Sequence, residues 1–439
     1  MRVTDSRRSF PVSFVALALS CWASTASAQG TGGAAAGQHP VTFTKDVAPI
    51  LQKACQNCHR PGSVAPMSLV TYEDARPWAR SIKQRVSTRE MPPWYIDRTV
   101  GVKQFKDDPS LTDEEIAKIV GWADAGAPHG NPADMPPPRQ FADTDRWAIG
   151  KPDYVVSIPD EYVVKANAAD DWPQIEVDTR LTEDRYIKAV ETKPSRINIV
   201  HHVTAYMLGE DGDPSGEQFL SEYAMGKNGD VFPEGAGRLI KAGTKLRLEM
   251  HYHAIGEEVR DRTQIGFVFY PKGYVPKRVA ITSRVGSGGG SDLDIPAGAD
   301  NVRTDGYTRM TKAAKITGFQ PHMHNRGKMQ CVEAIYPNLQ TEMLSCARFN
   351  FGWALVYNYA DDAAPLVPAG TLLHIISVHD NSTANKGNPD PKNWAGNGNR
   401  TIDEMAFSWM SWYDLTDEEY KQEVQARRAL RATSTAGAR

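Results

Sequence analysis

The chain has 439 residues, of which 41% are hydrophobic and 23% are charged, and its formal net charge is −3. This length exceeds what a single hydrophobic core ordinarily serves, which predicts two to three domains. A slightly acidic chain without a block of basic residues lacks the electrostatic footprint of nucleic-acid binding, which argues against that class of function.

The first 28 residues predict a secretory signal peptide. Arg2, Arg7 and Arg8 precede the apolar run FPVSFVALAL, and small residues ending in ASA follow. This order of basic, apolar and small-residue regions is typical of export signals, so we expect a periplasmic protein. A lipid anchor on Cys21 is the alternative, but ALSC lacks the usual leucine three residues before the cysteine. No other apolar run reaches the roughly 18 residues needed to span a membrane.

Residues 41–130, which follow a flexible leader at 29–40, predict a small all-α domain. Three segments have apolar residues at helical spacing: TKDVAPILQKAC, TYEDARPWARSIKQRV and LTDEEIAKIVGWADAGAP. In the third segment Thr112 and Glu115 occupy the positions of a capping box, which predicts that a helix begins there.

The motif CQNCH indicates covalent attachment of c-type haem within this domain. In such motifs the thiols, here Cys55 and Cys58, bond the haem vinyl groups, and the histidine, here His59, is the proximal iron ligand. A zinc site would require a second ligand pair nearby, and a dithiol redox centre would not require the histidine. Met91 in REMPPW is the predicted sixth ligand, because two prolines stiffen its loop, and Met67 is the alternative.

The sequence pattern changes after a Pro-rich linker at 131–150. Short alternating runs such as RINIVHHVTAYML and TKLRLEMHYHAIG, separated by Gly, Pro, Asn and Asp, indicate β-strands. The glycine-rich stretch VGSGGGSDLDIPAGADN divides them into two all-β domains at 151–285 and 286–423, followed by a charged tail at 424–439. The predicted fold class is a multidomain protein, with a small all-α cytochrome c domain followed by two all-β domains.

Two cysteines of the second β-domain are predicted to form a disulfide bond. Cys331 and Cys346 lie symmetrically about Asn338 and Leu339 in CVEAIYPNLQTEMLSC. A hairpin turning at that point would place them opposite each other, and an exported protein meets an oxidising environment.

Histidines occur in close pairs along the β half. The pairs are His201 and His202, His251 and His253, His322 and His324, and His374 and His379. One buried histidine is usually a satisfied core residue, but three successive close pairs on strands indicate a metal site, for which imidazole suits Cu, Zn, Fe and Ni. Residues two apart, such as His322 and His324 in QPHMHNRGK, share a strand face. Neighbours such as His201 and His202 reach one metal only if the strand bulges or twists.

Four motifs occur in an order found in a known family: HHV from 201, LEMHYH ending at 253, HMHNRGK from 322 and IDEM ending at 405. On these motifs the chain resembles the type II copper monooxygenases related to peptidylglycine α-hydroxylating monooxygenase and dopamine β-monooxygenase. The resemblance covers about residues 150–415. It implies that the two β-domains are jelly-roll-like sandwiches, each holding one copper ion.

The resemblance also implies the metal ligands. The first copper would be bound by His201, His202 and His251, and the second, catalytic copper by His322, His324 and Met405. A thioether is a soft ligand that suits Cu(I), which argues against zinc at the second site. His253 shares a strand face with His251 and could replace it as a copper ligand. Otherwise we interpret His253, His374 and His379 as strand residues whose rings are satisfied by hydrogen bonds.

The family inserts one oxygen atom of O₂ into a C–H bond, with two electrons from a reductant. The resemblance therefore implies an oxidoreductase. Because the haem is on the same chain as the coppers, we hypothesise that it relays electrons to them from a periplasmic donor, in place of or beside ascorbate. Peptide-processing members bind a substrate carboxylate with an arginine two residues before the H-x-H pair, and this chain has Gln320 there. Phe407 and Trp409 replace the asparagine and tyrosine that follow the ligand methionine in those members, so we expect a small apolar or aromatic substrate.

Two alternatives from other classes remain. The β half could be part of a periplasmic haem and copper electron-transfer or redox-binding protein without oxygenase turnover. It could also be a structural sandwich whose histidines are satisfied by hydrogen bonds.

Overall fold

The computed structural model describes residues 40–61, 63–141, 147–209, 216–227, 229–286 and 293–436. The predicted signal peptide and nearly all of the leader lie outside these residues. From Val41 onward the chain forms one compact unit. Among the described residues, no helix is both long enough and apolar enough to cross a membrane.

The first part of this unit is helical. Its α-helices are α1 (Ala48–Ala54), α2 (Tyr72–Ala75), α3 (Ala79–Ser87) and α4 (Asp113–Asp124), with a π-helix at Phe43–Val47 and 3-10 turns at Arg76–Trp78 and Pro132–Asp134. The predicted capping box of α4 is confirmed, because the Thr112 side chain accepts from the Glu115 amide and the Glu115 carboxylate accepts from the Thr112 amide. Phe43, Leu51 and Trp122 are fully buried in a small core that these helices share.

The rest of the unit is mostly β-sheet. Its strands are β1 (Tyr154–Ser157), β2 (Tyr162–Val164), β3 (Gln174–Asp178), β4 (Arg185–Lys193), β5 (Val200–Met207), β6 (Gln218–Ala224), β7 (Asp230–Val231), β8 (Ala236–Ile240), β9 (Lys245–Tyr252), β10 (Val259–Asp261), β11 (Gln264–Phe269), β12 (Arg278–Val279), β13 (Ile281–Val285), β14 (Asp294–Ile295), β15 (Val302–Arg309), β16 (Ala313–His322), β17 (Gly327–Ile335), β18 (Thr341–Arg348), β19 (Tyr357–Asn358), β20 (Leu366–Val367), β21 (Leu372–His379), β22 (Ala395–Gly396) and β23 (Phe407–Leu415). The long helix α5 (Asp417–Ala436) follows.

The strands form two groups, each with its own hydrophobic core. In the first group, one sheet has the order β1-β11-β4-β8-β12 and another β3-β9-β5-β6. In the second group, one sheet has the order β13-β23-β16-β19 and another β15-β21-β17-β18. Val203 and Phe267 are fully buried in the first core, and Phe319 and Val332 in the second. Layered sheets of this kind bury the apolar face of each strand, as the alternating sequence predicts.

Strand pairing shows to which of the two β groups β13 belongs. β13 pairs antiparallel with β23, from Ile281 opposite Trp412 to Val285 opposite Ser408. The second group therefore begins with β13, several residues before the predicted start at 286. At the other end α5 begins at Asp417 and runs through the predicted boundary at 423.

The predicted cysteine hairpin is present. β17 and β18 pair antiparallel with Cys331 opposite Cys346, and the two sulfurs are bonded. Leu339 takes a positive φ of 64° at the turn, where the sequence symmetry predicts the reversal.

An extended segment of the helical part packs into the second β core. Ile96 bridges to Ala347, and Phe105 bridges to Tyr359. The carbonyl of Tyr95 accepts a hydrogen bond from the Arg348 amide at 3.0 Å. The second β core therefore includes residues that the sequence analysis assigned to the helical domain, such as Tyr95 and Ile96.

Candidate metal centres

Three histidines of the first β group converge on one point. His201, His202 and His251 each offer a ring nitrogen, and these nitrogens lie within 4.8 Å of one another. The Nδ1 atoms of His201 and His202 are 3.1 Å apart. Within the described parts of the chain, this is the one group of three or more His, Cys, Asp or Glu side chains arranged to hold a metal ion.

A β-bulge brings the two consecutive histidines together. β5 and β9 pair with Val200 opposite Tyr252 and His202 opposite His251, and the register shifts between Val200 and His202. The extra residue in β5 is therefore His201, which the bulge turns away from its normal alternation. A bulge of this kind is what two adjacent strand histidines, His201 and His202, need to reach one metal ion.

Burial keeps the triad neutral. It lowers the pKa of His201 to about 4 and that of His202 to about 3, and the neighbouring imidazoles add to both shifts. The pKa of His251 is also lowered by burial, although the Asp170 carboxylate acts in the opposite direction. Neutral imidazole is the form that binds a metal, so the centre is ready for a cation at neutral pH.

Asp170 fixes the orientation of the third ring. The Nε2 atom of His251 lies 2.9 Å from the Asp170 carboxylate, and Trp172 stacks on the same ring. The Nδ1 atom of His251 is buried and has no hydrogen-bond partner. A buried nitrogen without a partner is costly, and a carboxylate on the other nitrogen is typical of metal-ligating histidines. No local sequence pattern predicts the contact of Asp170 with His251, because the two residues lie 81 positions apart.

The second pair of histidines lies at the end of a strand. β16 ends at His322, so His324 lies two residues beyond the strand rather than within it. The two ring centroids are nevertheless 5.8 Å apart. Backbone contacts hold His324, whose amide donates to Glu404 at 2.9 Å and whose Nδ1 lies 3.0 Å from the Asp403 carbonyl.

The segment that contains Met405 contacts both histidines of this pair. His324 bonds to residues immediately before Met405, and His322 stacks on Phe407 with 4.3 Å between centroids. Met405 packs on an aromatic cluster that includes Phe407 and Trp409. The chain thus places the IDEM motif beside the H-x-H motif across about 80 residues of sequence.

The buried carboxyl group of Glu404 binds backbone amides of the H-x-H segment. Glu404 accepts hydrogen bonds from the amides of His324 and Arg326, and burial raises its pKa to about 7. The Nε2 atom of His379 lies 3.4 Å from the Met405 carbonyl and 4.0 Å from Glu404. The sequence analysis interpreted His379 as satisfied by hydrogen bonds, but its Nδ1 atom is buried without a partner.

The remaining histidines lie elsewhere. The amide of His253 donates to the Ile199 carbonyl just beyond the end of β9, and its ring is outside the triad. His374 lies between two carboxylates, Glu333 at 3.0 Å and Asp305 at 2.6 Å. His374 is therefore satisfied by hydrogen bonds, as predicted.

Gln320 is engaged in a buried network between the two β groups. Its amide donates to Glu222 at 2.5 Å, and the Glu222 carboxylate lies 3.7 Å from the Lys227 ammonium. Gln320 is 3% exposed and Glu222 is 5% exposed. Gln320 thus takes part in a structural contact between the two β groups.

Phe407 and Trp409 face a different side of β23 from Trp412. The first two join Tyr206 and Phe219 of the first β group, whereas Trp412 packs against the core of the second group. The aromatic residues after Met405 thus divide between an interface near His322 and an ordinary core.

The CQNCH motif follows α1 directly. The amides of Cys58 and His59 donate to the Cys55 carbonyl at 3.1 and 3.0 Å, which forms a turn. Burial raises the pKa of Cys55 to about 12 and raises that of Cys58. A reactive redox dithiol usually has a lowered thiol pKa, so this environment does not favour that alternative.

The two candidate methionines have different surroundings. The Met67 carbonyl lies 3.2 Å from the Nδ1 atom of His59. Met91 lines a cavity of about 440 Å³, together with residues of the helical part and Arg348 of β18. The structure thus separates Met67, beside the motif histidine, from Met91, beside the second β group.

No family model matches the chain, and no curated protein matches it. Among solved structures, PNGF-II aligns over 60% of this chain and 65% of its own, just under two thirds, with 6% identity and a TM-score of 0.26. The major capsid protein P2 from bacteriophage PM2 aligns over 59% of this chain and 96% of its own, with 8% identity and a TM-score of 0.29. Similarity at this level assigns neither a family nor a function.

Proposed function

We propose that the protein is a copper-dependent monooxygenase that hydroxylates a C–H bond of a small apolar or aromatic substrate, with electrons supplied through a covalent c-type haem. The observation that carries the proposal is the convergence of His201, His202 and His251 at a β-bulge. The nearby H-x-H and IDEM motifs, brought together from distant parts of the chain, support it.

The donor set of the triad fits copper. Three neutral imidazoles suit Cu(I) and Cu(II). The buried Nδ1 atom of His251 has no hydrogen-bond partner and is therefore available to bind a metal ion. At the second centre, His322, His324 and Met405 would provide two nitrogens and one soft sulfur. Burial also lowers the pKa of His322 and of His324, so both rings are neutral ligands at pH 7.

Copper at these centres would supply one-electron storage and O₂ activation. One oxygen atom of O₂ would enter the substrate C–H bond, and the other would be released as water with two electrons from the donor and two protons. The chain itself orients the imidazoles: Asp170 holds His251, and the Asp403 carbonyl holds His324. The aromatic cluster of Phe407 and Trp409 excludes water beside His322.

The CQNCH segment fits a covalent haem. The Cys55 and Cys58 thiols are unpaired, and His59 uses Nδ1 for the Met67 carbonyl, which leaves Nε2 for the iron. His59 would bind the iron through Nε2, and Met91 would supply the second protein ligand, because Met67 already contacts the other ring nitrogen of His59 through its carbonyl. The predicted signal peptide leads us to propose a periplasmic location, where a donor or ascorbate would reduce the protein.

Metal content and oxygen chemistry test the proposal. Purified full-length protein should contain one covalent haem and bind two copper ions. O₂ uptake should depend on a small aromatic or apolar compound, and label from ¹⁸O₂ should appear in the product. The variant His202→Gln should lose one copper ion and turnover.

The control is His253→Gln, since His253 lies near the triad without belonging to it. This variant should keep both copper ions. Copper binding without substrate-dependent O₂ uptake would instead support the electron-transfer alternative, and protein that binds no copper would contradict both.

A further inference from the structure

A second cavity lies between the two β groups. Its volume is about 480 Å³, and its lining includes residues of β5, β6 and β8 on one side and of β13 and β23 on the other. The side chains that matter here are Tyr206, Glu217, Phe219, Arg238, Arg284 and Trp409. Cavities of this size between packed units are common binding sites for small molecules.

Two arginines and one glutamate line this cavity. Glu217 pairs with Arg247 through two contacts of 2.7 Å, and Arg247 also contacts Glu249 at 3.0 Å. Arg238 is only 5% exposed, and its hydrogen bonds within the described chain go to the carbonyls of Phe219, Leu220 and Ala280. Burial lowers the Arg238 pKa to about 10, which leaves it charged at neutral pH.

Arg284 adds a second cation to the cavity lining, and its side chain is exposed. Among the described residues no carboxylate lies within ion-pair distance of Arg238 or Arg284, and Asp230, which acts on Arg238 electrostatically, shares the Lys227 ammonium with Glu222. Buried or partly buried cations normally have an anionic partner. Of the two arginines only Arg238 is buried, whereas the exposed guanidinium of Arg284 is open to an anionic ligand.

The walls of the cavity select a flat apolar group. Phe219 and Trp409 pack with 4.4 Å between ring centroids. The Arg284 guanidinium stacks over Phe407 at 4.8 Å and over Trp409 at 5.2 Å, and it reaches the Tyr206 hydroxyl at 3.4 Å. The edge of the guanidinium and the hydroxyl together offer donors to two oxygens of one carboxylate.

The cavity also lies beside the second candidate metal centre. Phe407 has Arg284 over its ring and His322 stacked on it, so one aromatic ring separates the cationic group from the histidine. A molecule anchored at Arg284 would therefore lie beside the same aromatic ring that His322 contacts.

We propose that this cavity binds a small aromatic carboxylate, whose carboxylate contacts Arg284 and Tyr206 and whose ring lies against Phe219 and Trp409. The assignment of this ligand as the oxygenase substrate rests on the proposed function. The binding itself does not, because the residues that form it require no metal.

The probe is 3-phenylpropanoate, with 3-phenylpropanamide as its neutral isostere. Calorimetry on metal-free full-length protein should show that the carboxylate binds about tenfold or more tightly than the amide, because a charge-assisted hydrogen bond is lost in the amide. In Arg284→Gln the ratio of carboxylate affinity to amide affinity should fall to about one, and Arg284→Lys should retain part of this preference. The matched control is Arg303→Gln, because Arg303 is an exposed arginine of β15 that pairs with Asp305.

Two results would overturn the proposal: equal binding of carboxylate and amide to the wild type, or a ratio that survives in Arg284→Gln. Absence of binding of either probe would overturn it as well. Thermal unfolding of each variant verifies folding. Tight carboxylate binding without substrate-dependent O₂ uptake would remove the oxygenase function and leave the anion site intact, so the two failures are distinguishable.

Discussion

The ring of Phe351 stacks on that of His201, with 5.2 Å between ring centroids. The same phenylalanine meets His324 at 6.1 Å, edge to face. The side-chain amide of the preceding Asn350 donates to the Tyr95 hydroxyl at 3.3 Å, and Tyr95 lines the cavity that contains Met91. One short loop after β18 therefore contacts both candidate metal centres and the predicted haem ligand's cavity.

Replacing Phe351 should slow the passage of electrons from haem to copper. The variant Phe351→Leu removes the aromatic contact between the loop and His201. We expect the reoxidation of ferrous haem by bound Cu(II), followed by haem absorbance without O₂, to slow by at least about tenfold, since tunnelling weakens when a packed contact is lost. Phe105→Leu is the control, because the Phe105 ring packs against Tyr357 and Tyr359 rather than against a candidate ligand histidine. An unchanged rate in Phe351→Leu would show that electrons take another route.

Asp170 should contribute to metal affinity without binding the metal. Asp170→Asn removes the carboxylate that holds His251 and should weaken copper binding at the triad by about 10- to 100-fold. Competition titration with a chelator measures this affinity. Asp171→Asn is the control, since Asp171 contacts Tyr162 and the Trp172 amide rather than His251. Equal losses in both variants would indicate a general disturbance of the segment.

Met405 should be the soft ligand of the second centre. Met405→Leu keeps the volume but removes the sulfur, so Cu(I) affinity should fall by about tenfold or more while Cu(II) binding changes less. Met323→Leu provides the comparison, because Met323 is 1% exposed and lies between His322 and His324. X-ray absorption of the Cu(I) form should show a sulfur neighbour that is absent in Met405→Leu. A sulfur signal retained in that variant would exclude Met405.

The stability of the metal-free protein should fall in acid, partly through His202. Its pKa is about 3 in the folded protein and 6.5 in the unfolded chain, so the two states bind protons equally above pH 7. As the pH falls below 6.5, only the unfolded chain takes up a proton, and the folded state loses on the order of 2 kcal/mol by pH 4.5. The melting temperature of His202→Gln should therefore decline less than that of the wild type between pH 7 and 4.5.

Glu404 provides a control, because its contribution to the stability of the folded protein changes with pH in the opposite direction. Burial raises its pKa to about 7 from 4.5, so its contribution to stability is present below pH 4.5 and is lost as the pH rises to 7. Glu404→Gln should consequently gain stability relative to the wild type as the pH rises across that range. Parallel pH profiles for the wild type and both variants would contradict these assignments.

The haem ligand can be identified by reduction potential. Met91→Leu should lower the haem potential by on the order of 100 mV or more, because a Met/His pair raises it. Met67→Leu should leave the potential nearly unchanged, since Met67 contacts His59 through its carbonyl, which the substitution retains. A large fall in Met67→Leu alone would reverse the assignment.

The sequence by itself determined the features that depend on local order. The capping box at Thr112 and the hairpin pairing of Cys331 with Cys346 follow from residues a few positions apart or symmetric about a turn. Their physical basis is short-range: a cap needs an acceptor three residues away, and a hairpin register follows from its turn. The close pairs of histidines likewise indicate metal chemistry from residue type and spacing alone.

The tertiary structure decided how distant segments meet. The bulge at His201, the approach of residues 403–407 to His324 and the contact of Asp170 with His251 depend on pairings between strands and loops that no local pattern specifies. The same holds for Gln320, which a buried Glu222 from the other β group engages. These contacts join residues about 50 to 100 positions apart, and only the packing of two hydrophobic cores against each other fixes such separations.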